Sequence, residues 1–138
     1  MDYASTMGIK KILFVEDEKD LREIMVEMIK EEGFQCLEAG DGKEASEILE
    51  RESIDLLITD LRMPRMDGAQ LLAWCREKRL HFPVIFITAN VELLPHDEIA
   101  LQDCCADLLR KPIGIELLFN AISSAEERNH NRFCSGPI

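Results

Sequence analysis

Three short apolar runs decide most about what this chain can fold into: KILFV at 11 to 15, DLLIT at 55 to 59 and VIFIT at 84 to 88. None alternates apolar with polar residues. Successive side chains of a strand point to opposite faces, so a strand with one face in water must alternate, and an unbroken apolar run implies burial on both faces. A parallel sheet covered by helices on each side meets that condition.

The segments between the runs carry the helical period. Leu21, Ile24, Met25, Met28 and Ile29 recur at helix spacing and stop near Gly33, a residue suited to a left-handed helix end. Ala45, Ile48 and Leu49 repeat the pattern after Gly42, and Leu71, Leu72 and Cys75 do so after Gly68. A last stripe, Leu117, Leu118, Ala121, Ile122 and Ala125, precedes a polar tail from about residue 126. Two weaker strands are expected at QCLEA, 35 to 39, and DLLR, 107 to 110. Strand and helix then alternate five times, which implies a doubly wound α/β sandwich with right-handed crossovers.

A length of 138 residues suits one domain, and an apolar share of 46% suffices for its core. The balance of 16 basic against 27 acidic residues, a net charge of −11, repels nucleic-acid phosphates and anionic membrane surfaces. Direct nucleic-acid or membrane binding is therefore not expected. No apolar run approaches the ~20 residues needed to cross a bilayer, and MDYASTMGIKK lacks the core of a secretory signal. The cysteines Cys36, Cys75, Cys104, Cys105 and Cys134 are odd in number and contain no C-x-x-C pair, so they read as reduced thiols of a cytoplasmic protein.

In this class of fold, ligands bind beyond the carboxyl ends of the strands, where the strand order reverses. The residues at those ends are Glu16 and Asp17 after the first strand, Asp60 at the third, Thr88 at the fourth and Lys111 after the fifth. Each alone has a plainer reading: a turn cap for Asp60, a helix cap for Asp17, a strand residue for Thr88, a solvated charge for Lys111. Together they describe a chemistry. Three neighbouring carboxylates raise one another's pKa unless a cation neutralises them, and a small open cluster of oxygens suits Mg2+ better than Ca2+. A carboxylate beside such an ion can attack a phosphoryl group, while an ammonium and a hydroxyl stabilise the transferred oxygens.

From about Lys11 to Glu127 the chain resembles the receiver domains of two-component response regulators, including those of the chemotaxis type. The resemblance rests on Glu16-Asp17, on D-L-R-M-P-R-M-D-G at 60 to 68, on Thr88-Ala89 and on Lys111-Pro112. It implies a flavodoxin-like fold with a five-stranded parallel sheet in the order 2-1-3-4-5, and a receiver domain over residues 10–127. Residues 1–9 are then an N-terminal extension and 128–138 a polar tail or linker stub.

It further implies that Asp60 is the phosphoacceptor, and that Asp17, Asp60 and the backbone carbonyl of Arg62 ligate Mg2+ or Mn2+, with Glu16 acting through water. Thr88 and Lys111 would engage the phosphoryl group, and the bond before Pro112 would be cis. The implied partners are a sensor histidine kinase or a histidine phosphotransfer protein, an output partner, and a second copy in a phosphorylation-dependent homodimer. No catalytic turnover beyond slow autodephosphorylation is implied. Two residues depart from the family pattern: Glu16 stands where Asp is commoner, and Leu108 where Tyr or Phe usually serves as the switch ring. The alternatives are a receiver-fold scaffold that works without phosphorylation, and a phosphatase with an aspartyl nucleophile, which usually carries a second acid where this chain has Arg62. Architectural roles fall to Met63, Pro64, Asp67 and Gly68, and Asp67 is expected to cap the next helix. Trp74 is expected to be partly buried surface; His81, His96 and His130 are scattered in sequence; partner specificity is expected between Ala89 and Asp103.

Overall fold

The computed structural model describes residues 3–89, 92–103 and 106–130. Asn90, Val91, Cys104, Cys105 and residues 131–138 lie outside them, and with them Cys134, much of the tail and part of the 89–103 region. Strands β1 (Lys11–Val15), β2 (Gln35–Ala39), β3 (Leu56–Asp60), β4 (Val84–Thr88) and β5 (Ala106–Arg110) alternate with helices α1 (Lys19–Glu31), α2 (Gly42–Leu49), α3 (Gly68–Glu77), α4 (Pro95–Leu101) and α5 (Ile115–His130). The strands form one parallel sheet in the order β2-β1-β3-β4-β5. This is the doubly wound arrangement expected from the alternation of elements.

Every residue of β3 and β4 is buried, because the sheet is covered on both faces. On one face Ile12, Phe14, Ile58, Ile85 and Ile87 pack against Met25, Val26 and Ile29 of α1 and Leu118, Phe119 and Ile122 of α5. On the other, Leu13, Val15, Leu57, Val84 and Phe86 pack against residues of α2, α3 and Ala100 of α4. Unbroken apolar runs are thus explained by two cores, one per face. Gly33, just past α1, has φ 95°, the left-handed conformation that glycine adopts without a Cβ penalty.

The helical stripes differ from the sequence reading at two positions. Ile24 of α1 and Leu117 of α5 are exposed, at 57% and 47%. A helix lying on a sheet buries a narrow stripe, and in α1 Val26 takes the inward place. The first helix also starts later than the acids: Glu18, not Asp17, is its N-cap residue.

Residues 3–9 pack onto this frame. Tyr3 to Thr6 form a short 3-10 turn, Tyr3 stacks on Phe119 at 4.5 Å, and Ala4 and Ile9 are buried in the α1/α5 core. Glu126 of α5 accepts the amides of Gly8 and Ile9. Among the described residues no helix is long and apolar enough to cross a membrane.

Candidate functional site: an acidic cluster with one lysine

The loops that follow β1, β3 and β5 bring the predicted residues to one edge of the sheet. After β1, the Glu16 amide donates to Ala39 O at 3.1 Å, and Arg22 Nη1 donates to the Glu16 carbonyl at 2.8 Å. These bonds fix the backbone of an acid that is only 3% exposed. Asp17, next along, is exposed. Asp60 is the last residue of β3, pairs with Ile87 of β4 in register and is buried. A rigid, fully buried strand therefore carries this carboxylate to the edge.

The chain must turn sharply after Asp60, and Gly68 makes that turn feasible. Its amide donates to Leu61 O at 3.1 Å, and a Cβ there would collide with the Asp60 carbonyl oxygen. Asp67 caps α3, as read from the sequence, and the structure adds that it does so in a reciprocal box with Gln70. Thr88 is buried at the end of β4, and its carbonyl accepts the Lys111 amide at 2.8 Å. The Lys111–Pro112 bond is cis.

One oxygen each from Glu16, Asp17 and Asp60 lie within 4.8 Å of one another. Lys111 Nζ reaches into the cluster, 2.9 Å from Glu16 Oε1 and 2.9 Å from Asp60 Oδ2. Lys111 is thus an internal counter-charge, not a solvated surface lysine. Burial pushes its pKa down, but hydrogen bonds to Glu16 and Asp60 outweigh burial and hold the ammonium above its ordinary range. Although Asp17 is solvent-exposed, partial desolvation by its neighbours pushes its carboxyl up, helped by the hydrogen bond and charge of Glu16. Three carboxylates against one ammonium leave negative charge in excess, and the donors are all hard oxygens with Asp17 open to water. That donor set fits a hydrated divalent ion of the Mg2+ kind.

The chain matches the model of the response regulator receiver domain over residues 12–123. It belongs to that family. This receiver, of the kind found in two-component signalling, is 41% identical over 122 residues to the transcriptional regulatory protein PdtaR of Mycobacterium tuberculosis, covering 86% of this chain and 58% of that protein. It is 35% identical over 118 residues to the transcriptional regulatory protein GlrR of Escherichia coli, again over 86% of this chain. The chain spans 26% of the length of GlrR, about a quarter. Among solved structures, the response regulator TrrA of Thermotoga maritima, in complex with Mg(2+)-BeF, superposes with a TM-score of 0.71 at 28% identity, covering 85% of this chain and 99% of that one.

Two features of the receiver's site escaped the sequence reading. The Arg62 side chain leaves the cluster and pairs with Asp97 of α4, and His96 Nε2 lies 2.9 Å from Asp67 Oδ2. These residues are about 30 positions apart in sequence, and no local period or motif links them. Leu108 sits in β5, half-buried and packed against the core between the sheet and α2, α3 and α4. Its side chain is purely apolar and offers no hydrogen-bonding group.

Proposed function

We propose that this receiver accepts a phosphoryl group on Asp60. The single observation that carries the reading is the cluster itself: a buried strand-end carboxylate with Lys111 Nζ 2.9 Å from its Oδ2 and two further acids beside it. An Asp60 carboxylate oxygen attacks phosphorus of a phosphohistidine on a sensor kinase or phosphotransfer protein. The O–P bond forms as the P–N bond breaks, and the imidazole leaves with the electron pair and takes up a proton. The Lys111 ammonium and Thr88 hydroxyl stabilise the charge on the transferred oxygens. Asp17, Asp60 and the Arg62 carbonyl would hold Mg2+ or Mn2+, with Glu16 acting through water. Such an ion would neutralise charge that otherwise opposes the approach of a phosphate.

The TrrA complex with Mg(2+)-BeF supports this assignment by relationship. The product is an altered binding surface and not a released chemical product, so the chain acts as a cytoplasmic signalling switch and not as an enzyme. The receiver unit is residues 10–127, with residues 3–9 packed onto it, and its output passes to a protein partner or a second copy.

Incubation with Mg2+ and a small acyl phosphate should add the mass of one phosphoryl group, and Asp60→Asn should prevent it. Labelling that persists unchanged in Asp60→Asn overturns the assignment. Sustained hydrolysis of a phosphomonoester over many turnovers would point to a phosphatase instead.

A further inference from the structure

The phosphoacceptor loop carries one side chain that the proposed chemistry leaves unused. Arg62 stands two residues after Asp60, and its guanidinium crosses to α4. There Nη1 donates to Asp97 Oδ1 at 3.0 Å while Nη2 donates to Asp97 Oδ2. This fork fixes a carboxylate in orientation as well as distance. Asp97 has no exposed surface, whereas Arg62 keeps 29% of its side chain in contact with solvent. A carboxylate buried to that degree is costly unless its oxygens are fully partnered. They are: Asp97 Oδ2 also accepts the Leu94 amide at 2.8 Å, closing the first turn of α4, and His96 Nε2 lies 3.6 Å from Oδ1.

The same arginine touches the nucleophile. Its backbone amide donates to Asp60 Oδ1 at 3.2 Å, so one residue meets Asp60 through its main chain and α4 through its side chain. Asp67, which caps α3, joins the knot through His96 and lies 3.9 Å from Arg62 Nη1. A shift of α4 is therefore felt by the Arg62 peptide. By reciprocity, a change of charge and shape at Asp60 is felt by α4.

We infer that Asp97 is a positioning residue for the Asp60 site, acting through Arg62, and that the state of Asp60 reaches α4 along this ion pair. The inference rests on Asp60 being the phosphoacceptor and adds a residue on a separate helix to that site. It also supplies a polar route to α4 in a chain whose Leu108 has no ring hydroxyl to move.

The test uses the full chain with Asp97→Asn, which removes the charge but can still accept the Leu94 amide. Two quantities are read: the Kd for Mg2+ alone, and hydrogen exchange of the α4 amides before and after labelling by an acyl phosphate. Asp97→Asn should weaken Mg2+ binding about fivefold, a coupling of ordinary size between linked sites. It should also abolish the change in α4 exchange that labelling produces in the unsubstituted chain. In an Arg62→Gln background, Asp97→Asn should add nothing, because the route has already been cut. An α4 response that survives Asp97→Asn, or an equal effect of that change in the Arg62→Gln background, overturns the inference while leaving Asp60 as acceptor. An unsubstituted chain that takes no label overturns both. If Asp97→Asn does not fold, Arg62→Gln alone decides through the α4 response: loss supports the route and retention overturns it.

Discussion

Lys111 Nζ stands 2.9 Å from Asp60 Oδ2, although the two residues are 51 positions apart in the chain. The ammonium is held from both sides, since Glu16 Oε1 is also at 2.9 Å, and it lies between two carboxylates. It would therefore compete with a bound metal ion for the same oxygens, and on the proposed function it would offer a contact for an incoming phosphate.

Opposite effects on metal binding follow for two substitutions. Lys111→Ala removes the competing cation and should tighten Mg2+ binding several-fold, while Asp17→Asn removes a donor and should weaken it about tenfold, or ~1.4 kcal/mol. Titration calorimetry measures both. Phosphorylation by an acyl phosphate should nonetheless fall about a hundredfold in Lys111→Ala, as for loss of one preorganised charge-stabilising donor. Chelation of the metal should stop labelling in every variant.

Gly68→Ala is expected to damage the site without touching a charged group. The new methyl would meet the carbonyl oxygen of Asp60, a backbone atom that cannot swing aside. Overpacking of this kind costs about 1–3 kcal/mol, measurable by urea unfolding. Labelling of Asp60 should slow even where the variant is fully folded, because the turn that orients the strand end has shifted.

Asp41 links acid pH to stability. Burial pushes its carboxyl up, but the Glu44 amide and the Arg65 guanidinium outweigh burial and hold it below the ordinary carboxylate value. The folded state therefore binds this proton less readily than the unfolded chain. Its contribution is complete above the unfolded value of 3.8 and is lost as pH falls through the lower folded value. Asp41→Ala removes the α2 N-cap, whose oxygen accepts the Glu44 amide at 2.8 Å. It should cost about 1 kcal/mol at neutral pH. The cost should shrink in acid, as thermal melts at two pH values will read.

Cys36 and Cys75 are buried free thiols, and burial pushes each up to about 12. At pH 8 iodoacetamide should label them far more slowly in the folded chain than in urea, as peptide mass spectrometry can follow site by site. The raised folded values also mean that the folded state holds these protons longer than the unfolded chain. Their contribution to stability is intact below the unfolded value of 9.0 and declines as pH rises toward 12.

The sheet, the helices on both faces and the edge on which the acids gather were legible in the residue pattern. Those conclusions need only local rules: an unbroken apolar run must be buried on both faces, and helical spacing supplies the covers. The ends of such strands converge on one edge whatever the loops do, which is why Glu16, Asp17, Asp60, Thr88 and Lys111 could be grouped before any distance was known. Tertiary structure alone decided which positions of a stripe face inward, leaving Ile24 and Leu117 in solvent, because that depends on how each helix is rotated against the sheet. It alone decided the fate of the Arg62 side chain and the burial of Asp97. An arginine two residues after Asp60 could as well have turned back toward it. The choice was made by a buried carboxylate 35 residues away, whose desolvation demands a partner and whose position depends on how α4 packs.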